Sequence, residues 1–421
     1  MGIRLREKIG YGLGDTASSM LWKLFSVYLM FFYTNICGID AWVVGVLFLV
    51  TRIWDSLLDP VVGLLCDRTS FYMPEWGTGG KVVYATVTYS LMMIVYSSVN
   101  VPYAALLGVM SADPHERTVL AAFRMTFAAA GSMAVVLAVE ALVKAFRPWA
   151  GPSASWTAAV AVVAALAVVL FFVTFSTTRE RVRPVRAERH PVLLSLRDLL
   201  HNRPWLILAG AAVCLQVFNA FRESGTIYFF KYCVAGETVG TVSFAGIALT
   251  GSALFLAVGP FFNIAGIVLI PFAADRFGRR RTLVGTLLLT AVFSFAFYFV
   301  RQGGYSVLLL AQALISLSVG GVLPLLWAMS ADTADYAERR SGRRDTGLIF
   351  SSYSMAQKMG WAVGSAATAW ILSLAGFEAN AVQSPAALTV IGCLQSVFPA
   401  LAALGTCAFI LFYPLADSRP K

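Results

Sequence analysis

The stretch TRIWDSLLDPVVGLLCDR, residues 51–68, places Arg52, Asp55, Asp59, Asp67 and Arg68 inside a long apolar run. Asp55 and Asp59 are four apart, so on a helix they stack one turn above each other on one face. A carboxylate in hydrocarbon costs several kcal/mol, so two on one face must look into a protein interior or a wet cavity. Paired carboxylates there suit a small cation: their oxygens replace its hydration shell, or they share a proton when both cannot ionise. A structural ion pair with Arg52 is the plainer alternative.

The rest of the chain fits a membrane setting. Of 421 residues, 58% are hydrophobic and 13% charged, and the mean hydropathy is +0.74. A soluble domain is about half apolar and a quarter charged, so the class is an all-α polytopic membrane protein. Alternation of period two is absent, which excludes a membrane barrel. The net charge of +10 sits in short clusters between apolar runs, which is the positive-inside pattern and not a nucleic-acid face. Six cysteines form no CxxC pair and read as buried small residues. Met1 to Lys8 reads as a retained cytoplasmic start without a signal-peptide cleavage pattern.

About 20 apolar residues make a span. Candidates are 10–36, 41–65, 82–109, 118–145, 155–175, 205–232, 252–274, 282–300, 306–330, 346–374 and 386–413, eleven in all. Segment 233–251 is either an outside loop or an early start to the next helix. The arginine clusters at 4–6, 179–203, 276–281, 339–344 and the tail are expected on the cytoplasmic side. From residue 204 onward, six spans satisfy this. The first half does not: between Arg68 and Glu75 one crossing is missing, and seven residues cannot supply it. The expected domains are an N-terminal bundle at 1–178, a cytoplasmic linker at 179–203 and a C-terminal bundle at 204–421. The first bundle falls short of the second by about one helix and a loop. The linker, with Pro184, Pro191 and SLRDLLHNRPW, suggests flexible chain and a short amphipathic surface helix.

A weak repeat links the halves. Gly63-x-x-x-Asp67-Arg68 and Pro271-x-x-x-Asp275-Arg276 each end a second span with an acid and arginine. Such groups form an inner-face gate motif when they pair across to neighbouring helices. Repeated halves with a midplane site are the mark of secondary transporters.

Several spans carry polar groups. On the first, Gly10, Gly12 and Gly14 let another backbone approach, and Asp15 follows them, with Lys23 two turns later pairing or snorkelling. On the 82–109 span, Tyr96, Ser97, Ser98 and Asn100 gather in one turn before Pro102, which suits a polyol or helix-to-helix contact. Arg124 can fork onto a carboxylate or vicinal hydroxyls. Asn219, Arg222 and Glu223 suggest an ion-paired gate. Lys358 falls near mid-bilayer and needs a carboxylate partner. If acids of the first half supply it, cation occupancy becomes coupled to contact between the halves. Histidines 115, 190 and 201 fall in loops, so no imidazole relay crosses the membrane. Residues 77–81, GTGGK, lack the spacing and the flanking strand of a phosphate loop, so the chain does not itself hydrolyse ATP.

Taken together, KIGYGLGD, YLMFFYTN, TRIWDSLLDPVVG, NVPYAAL, ERTVLAAFR, DRFGRRR, ADTADYAE and SYSMAQKMG resemble the glycoside–pentoside–hexuronide:cation symporters, the melibiose-permease-like branch of the major facilitator superfamily. The resemblance implies two six-helix bundles and alternating access driven by a proton, sodium or lithium gradient. It implies cation binding by Asp55 and Asp59 with Ser354 assisting, sugar binding by Asp15, Tyr96, Asn100 and Arg124, and a coupling role for Lys358. Departures bear on the substrate and ion. Leu58 stands where sodium-using melibiose carriers have an amide, which favours protons. Asn100 and Ala104 replace an acid and an aromatic, against a galactoside. After Asp67-Arg68-Thr69 the chain runs straight into SFYMPEWGTGGK, which resembles the outer end of helix 3, so the missing crossing is helix 3.

The expected function is cation-coupled symport of a sugar or glycoside by a monomer in the cytoplasmic membrane, both termini inside, with no cofactor beyond the coupling ion and no nucleic-acid partner. A carrier of an anionic sugar acid or lipid-like amphiphile, with Arg222 serving the anion, is the alternative. A chain made transport-deficient by the loss of helix 3 is the other.

Overall fold

A computed structural model describes residues 4–58, 79–80, 82–87, 90, 103, 106, 110, 114–179, 199–234, 242–244, 247–249, 251–301, 303–341 and 346–414. Helix dominates it, as apolar sequence with few charges requires when every backbone polar group must find its partner within the segment.

The chain forms α1 (Leu5–Phe31), extended by a π-turn (Phe32–Ile36), then α2 (Ala41–Leu58). Next comes α3 (Pro114–Thr177), which Gly151 breaks into two arms with φ 77° and ψ −179°, backbone angles open to glycine alone. Then follow α4 (Arg203–Tyr228) with its own π-turn (Phe229–Cys233), α5 (Gly251–Phe277), α6 (Arg279–Val300), α7 (Tyr305–Gly320), α8 (Val322–Ser341), α9 (Thr346–Leu374), α10 (Pro385–Gln395) and α11 (Val397–Leu411). Between α4 and α5, β1 (Val242–Phe244) and β2 (Ile247–Leu249) pair antiparallel, Ser243 opposite Ala248. Within the ambiguous 233–251 segment, the described residues 242–244 and 247–249 are thus paired strands and not an early start to the next helix.

Among the described residues, seven helices are long and apolar enough to cross a membrane: 123–151, 154–177, 203–233, 251–277, 279–300, 305–330 and 385–411. Their exposed side chains include Phe172, Phe175, Val292 and Phe299, the surface expected where lipid is the solvent. Of the expected eleven, 10–36 and 346–374 are helical but not among these seven, and 41–65 and 82–109 run into residues 59–78 and 88–113, which lie wholly or mostly outside the described residues. So does the place of the missing crossing. The loop expected at 332–345 is shorter than its charges suggested: α8 carries on to Ser341. His115, expected in a loop, stands in the first turn of α3. Proline and a side-chain cap set two of the starts. Asn202 accepts from Trp205 N at 3.2 Å before α4, and Ser384 accepts from Ala387 N at 3.1 Å before α10.

The chain divides into two compact units. Unit 1 is Met1–Arg186 with Val239–Pro260 and Glu378–Val382; unit 2 is Ala187–Thr238, Phe261–Phe377 and Gln383–Lys421.

In unit 1, α1 lies in the fold of α3. A Cβ on Gly12 would come within 2.8 Å of the Phe127 ring, and one on Gly131 within 2.6 Å of Thr16 O. The two helices thus touch backbone to backbone at Gly131 and backbone to ring at Gly12. Hydroxyls fasten the seam: Thr16 Oγ1 donates to Phe127 O at 3.0 Å and Thr174 Oγ1 to Gly10 O at 2.8 Å. The glycine stripe of the first span thus serves close approach.

In unit 2, Leu208, Leu215, Leu283, Leu287, Leu326 and Tyr353 form one buried core. At one end of it, Arg279 Nη1 pairs with Asp332 Oδ2 at 2.8 Å, and Tyr413 Oη lies 3.1 Å from Thr333 Oγ1. A break interrupts the last span between α10 and α11 at Ser396, with φ −131° and ψ −79°. Pro399 explains it. A proline has no N–H for the carbonyl four residues back and its ring pushes that carbonyl away, so Gln395 C=O loses its helical donor. Arg222 of α4 supplies one instead: its Nη1 donates to Gln395 O at 2.9 Å. Its Nη2 donates to Gln312 Oε1, and the guanidinium lies 5.8 Å from the Phe297 ring centre. In return Gln395 Nε2 donates to Arg222 O at 2.8 Å.

Candidate substrate site

The Gly10–Gly14 seat puts the next residue of α1, Asp15, against α3. There Arg124 Nε meets Asp15 Oδ1 at 3.1 Å. Asp15 is buried, and the Arg124 side chain is 28% exposed, so the pair faces a space that is neither core nor bulk water. Removing either partner from such a pair leaves a charge stranded in apolar surroundings, which costs about 3–5 kcal/mol. The pairing uses Nε. The terminal nitrogens of Arg124 form the planar fork that fits two neighbouring hydroxyls.

Two tyrosines complete this wall. The Tyr103 ring stacks on Tyr11 with centres 4.9 Å apart, and its hydroxyl donates to Tyr11 O at 2.5 Å. The Arg124 guanidinium carbon lies 5.3 Å from the Tyr103 ring centre, a cation–π contact. A Cβ on Gly14 would come within 2.5 Å of the Tyr103 ring, so glycine there is what lets the ring lie flat on α1. Neither tyrosine was singled out from the sequence. Both sat inside quoted motifs, Tyr11 in KIGYGLGD and Tyr103 in NVPYAAL, and an aromatic four residues before a membrane-embedded acid was the available signal.

Of the expected sugar residues, the structure brings Asp15 and Arg124 together. Tyr96 and Asn100 lie outside the described residues, as do Asp59, Asp67 and Arg68. Asp55 falls on α2, of which the helical backbone alone is described at that point. Ser354 and Lys358 stand one turn apart on α9 of unit 2, both half-buried. Asp275 and Arg276 end α5 and are exposed, and Arg276 folds over its neighbour Phe277 at 5.6 Å. The cross-helix pair at that end comes from Arg279 and Asp332. The expected pairing of Arg222 with Glu223 gives way to the capping of Gln395, because adjacent helical side chains diverge by about 100°. A further acid was missed altogether. Glu140 lies in the apolar first arm of α3 and accepts from Ser252 Oγ at 2.8 Å.

The chain as a whole is similar to known proteins. The family described as MFS/sugar transport protein matches residues 10–73 and 70–417. The putative glycoside/cation symporter YagG of Escherichia coli is 33% identical, over 99% of this chain and 93% of its own length. The alignment runs over 443 residues, more than this chain has. The isoprimeverose transporter of Lactiplantibacillus pentosus is 31% identical, over 99% of this chain and 90% of its own length. In fold, the chain resembles a proton-dependent oligopeptide transporter, with a TM-score of 0.67 at 13% identity over 97% of this chain and 99% of the other. It also resembles the nucleoside transporter NupG, with 0.62 at 12% identity over 98% and 100%.

Proposed function

Because this chain belongs to the MFS/sugar transport protein family, we propose that it moves a sugar or glycoside across the cytoplasmic membrane together with a cation, by alternating access. It is a carrier and not an enzyme. The observation that carries the reading is the Asp15–Arg124 pair, an acid and a fork of donors held beside two aromatic rings within apolar helices. A hydroxylated ligand needs acceptors and donors at once, and this pair offers both. The names of the relatives, a putative glycoside/cation symporter and an isoprimeverose transporter, support a glycoside as the cargo.

For the cation, Asp55 and Asp59 remain the proposed ligands, with Ser354 assisting and Lys358 as the coupling residue. Leu58 between the two acids offers no oxygen to a sodium ion, which supports a proton as the driving ion. The anionic alternative relied on Arg222. Its guanidinium is spent on Gln395 O and Gln312 Oε1, so the neutral glycoside is the better reading. We propose further that helix 3 is absent. The family match breaks into two pieces that meet at residues 70–73, where the missing crossing was expected, and this supports the omission.

The experiment is uptake of a labelled glycoside into right-side-out vesicles with and without a proton or sodium gradient. Gradient-dependent accumulation, lost on Asp59→Asn while glycoside still binds, is the expected result. Accumulation that ignores both gradients, or is unchanged by Asp59→Asn, overturns the symport mechanism.

A further inference from the structure

Unit 1 contains two short pieces from the second half of the sequence, Val239–Pro260 and Glu378–Val382. Each is held by a polar fastening. The Glu140 carboxylate accepts from Ser252 Oγ at 2.8 Å, in the first turn of α5. A carboxylate there also meets the positive end of the helix dipole. Asn380 Nδ2 donates to Asn35 O at 2.6 Å, and Asn35 Nδ2 donates to Asn380 Oδ1 at 3.3 Å. Asn380 holds a left-handed backbone, φ 62°, which asparagine tolerates better than most residues, so its amide is presented by the chain itself.

Both fastenings lie at one end of unit 1. Tyr28 of α1 donates to Val136 O at 3.4 Å, one turn before Glu140, and Asn35 follows Tyr28 by two turns. Asp15 is thirteen residues before Tyr28 on the same helix, or about 20 Å along the axis. This end is therefore remote from the arginines at the start of α1, and by the charge pattern it is the outer end. A carboxylate in an apolar arm is costly and is kept where it has work to do. A hydrogen bond that water can replace is, by contrast, cheap to open.

We infer that Glu140–Ser252 and Asn35–Asn380 are fastenings of an outer gate, which must be released before a ligand reaches Asp15 and Arg124 from that side. This rests on the transporter reading, but its test does not require transport. With the six native cysteines replaced by serine, a single Ser18→Cys, one turn from Asp15, is labelled by a membrane-impermeant maleimide applied to the outer face. Opening both fastenings with Glu140→Ala and Asn380→Ala is expected to raise the labelling rate about ten-fold. Asn35→Cys with Asn380→Cys, oxidised to a disulfide, is expected to suppress labelling until a reductant is added. Monodisperse elution of each variant checks folding. Equal labelling of the parent and the opened variant, or labelling of the oxidised variant at the parent rate, overturns the gate. Uptake measured on the same vesicles tests the symport reading separately.

Discussion

Replacing Arg222 with methionine removes two donors and leaves Gln395 C=O and Gln312 Oε1 buried without partners. Each orphaned acceptor costs about 1–3 kcal/mol. Methionine also relieves the burial of a guanidinium, which offsets part of the loss. The net is a destabilisation of about 2–4 kcal/mol. Pro399→Ala returns an N–H four residues after Gln395, so that carbonyl regains a helical donor. If Pro399 is the reason Arg222 is needed, Arg222→Met should cost about 1–2 kcal/mol less in the Pro399→Ala background. The assay is a double-mutant cycle read by denaturant unfolding in mixed micelles. Independent sites add within about 0.3–0.5 kcal/mol. Additivity at that level would refute the claim that the arginine substitutes for the donor that proline lacks, whatever the single variants do.

Three further outcomes follow from other contacts. Asp15→Asn or Arg124→Gln should each weaken glycoside binding by about one to two orders of magnitude, since a hydrogen bond to a charged group is worth about 1.5–3 kcal/mol; binding titrations at constant pH read this. Gly131→Ala should cut folded yield sharply, because its Cβ would meet Thr16 O at 2.6 Å. Gly285→Ala, where nothing lies within 4 Å, should be neutral or stabilise by up to about 1 kcal/mol, with size-exclusion profiles after a thermal ramp as the measure. Tyr103→Phe keeps the ring beside Arg124 and loses one hydrogen bond, about 1 kcal/mol, so binding should fall less than ten-fold, whereas Tyr103→Ala should abolish it.

The span boundaries were the most legible part of the sequence, because length and hydropathy are strong signals in a bilayer. The 306–330 candidate matches 305–330, and the 282–300 span is α6 with three arginines added at its start. The break within the last span was not foreseen, although FPA at 398–400 carried it. A proline inside an apolar run reads as tolerated until the freed carbonyl's new partner is known, and that partner, Arg222, is 173 residues away in sequence. Glu140 was passed over for a related reason. Asp55 and Asp59 attract notice as a pair, whereas one acid in LAVEALV needs Ser252, which no local pattern supplies. Asp15 and Arg124 came from the motifs that surround them, and their distance from each other came only from the fold.

At Gly131 the seat of α1 in α3 is main chain against main chain. Thr16 O sits where a side chain on Gly131 would be, and the carbonyls of Gly10 and Phe127 take the hydroxyls that hold it. Main-chain atoms are the same whatever residue bears them, so at that point the spacing of Asp15 from Arg124 depends on a few residues only, a glycine at 131 and the hydroxyls of Thr16 and Thr174. A lineage can therefore exchange the side chains opposite that pair, and with them its preferred cargo, while the ruler that positions the acid and the fork stays the same length.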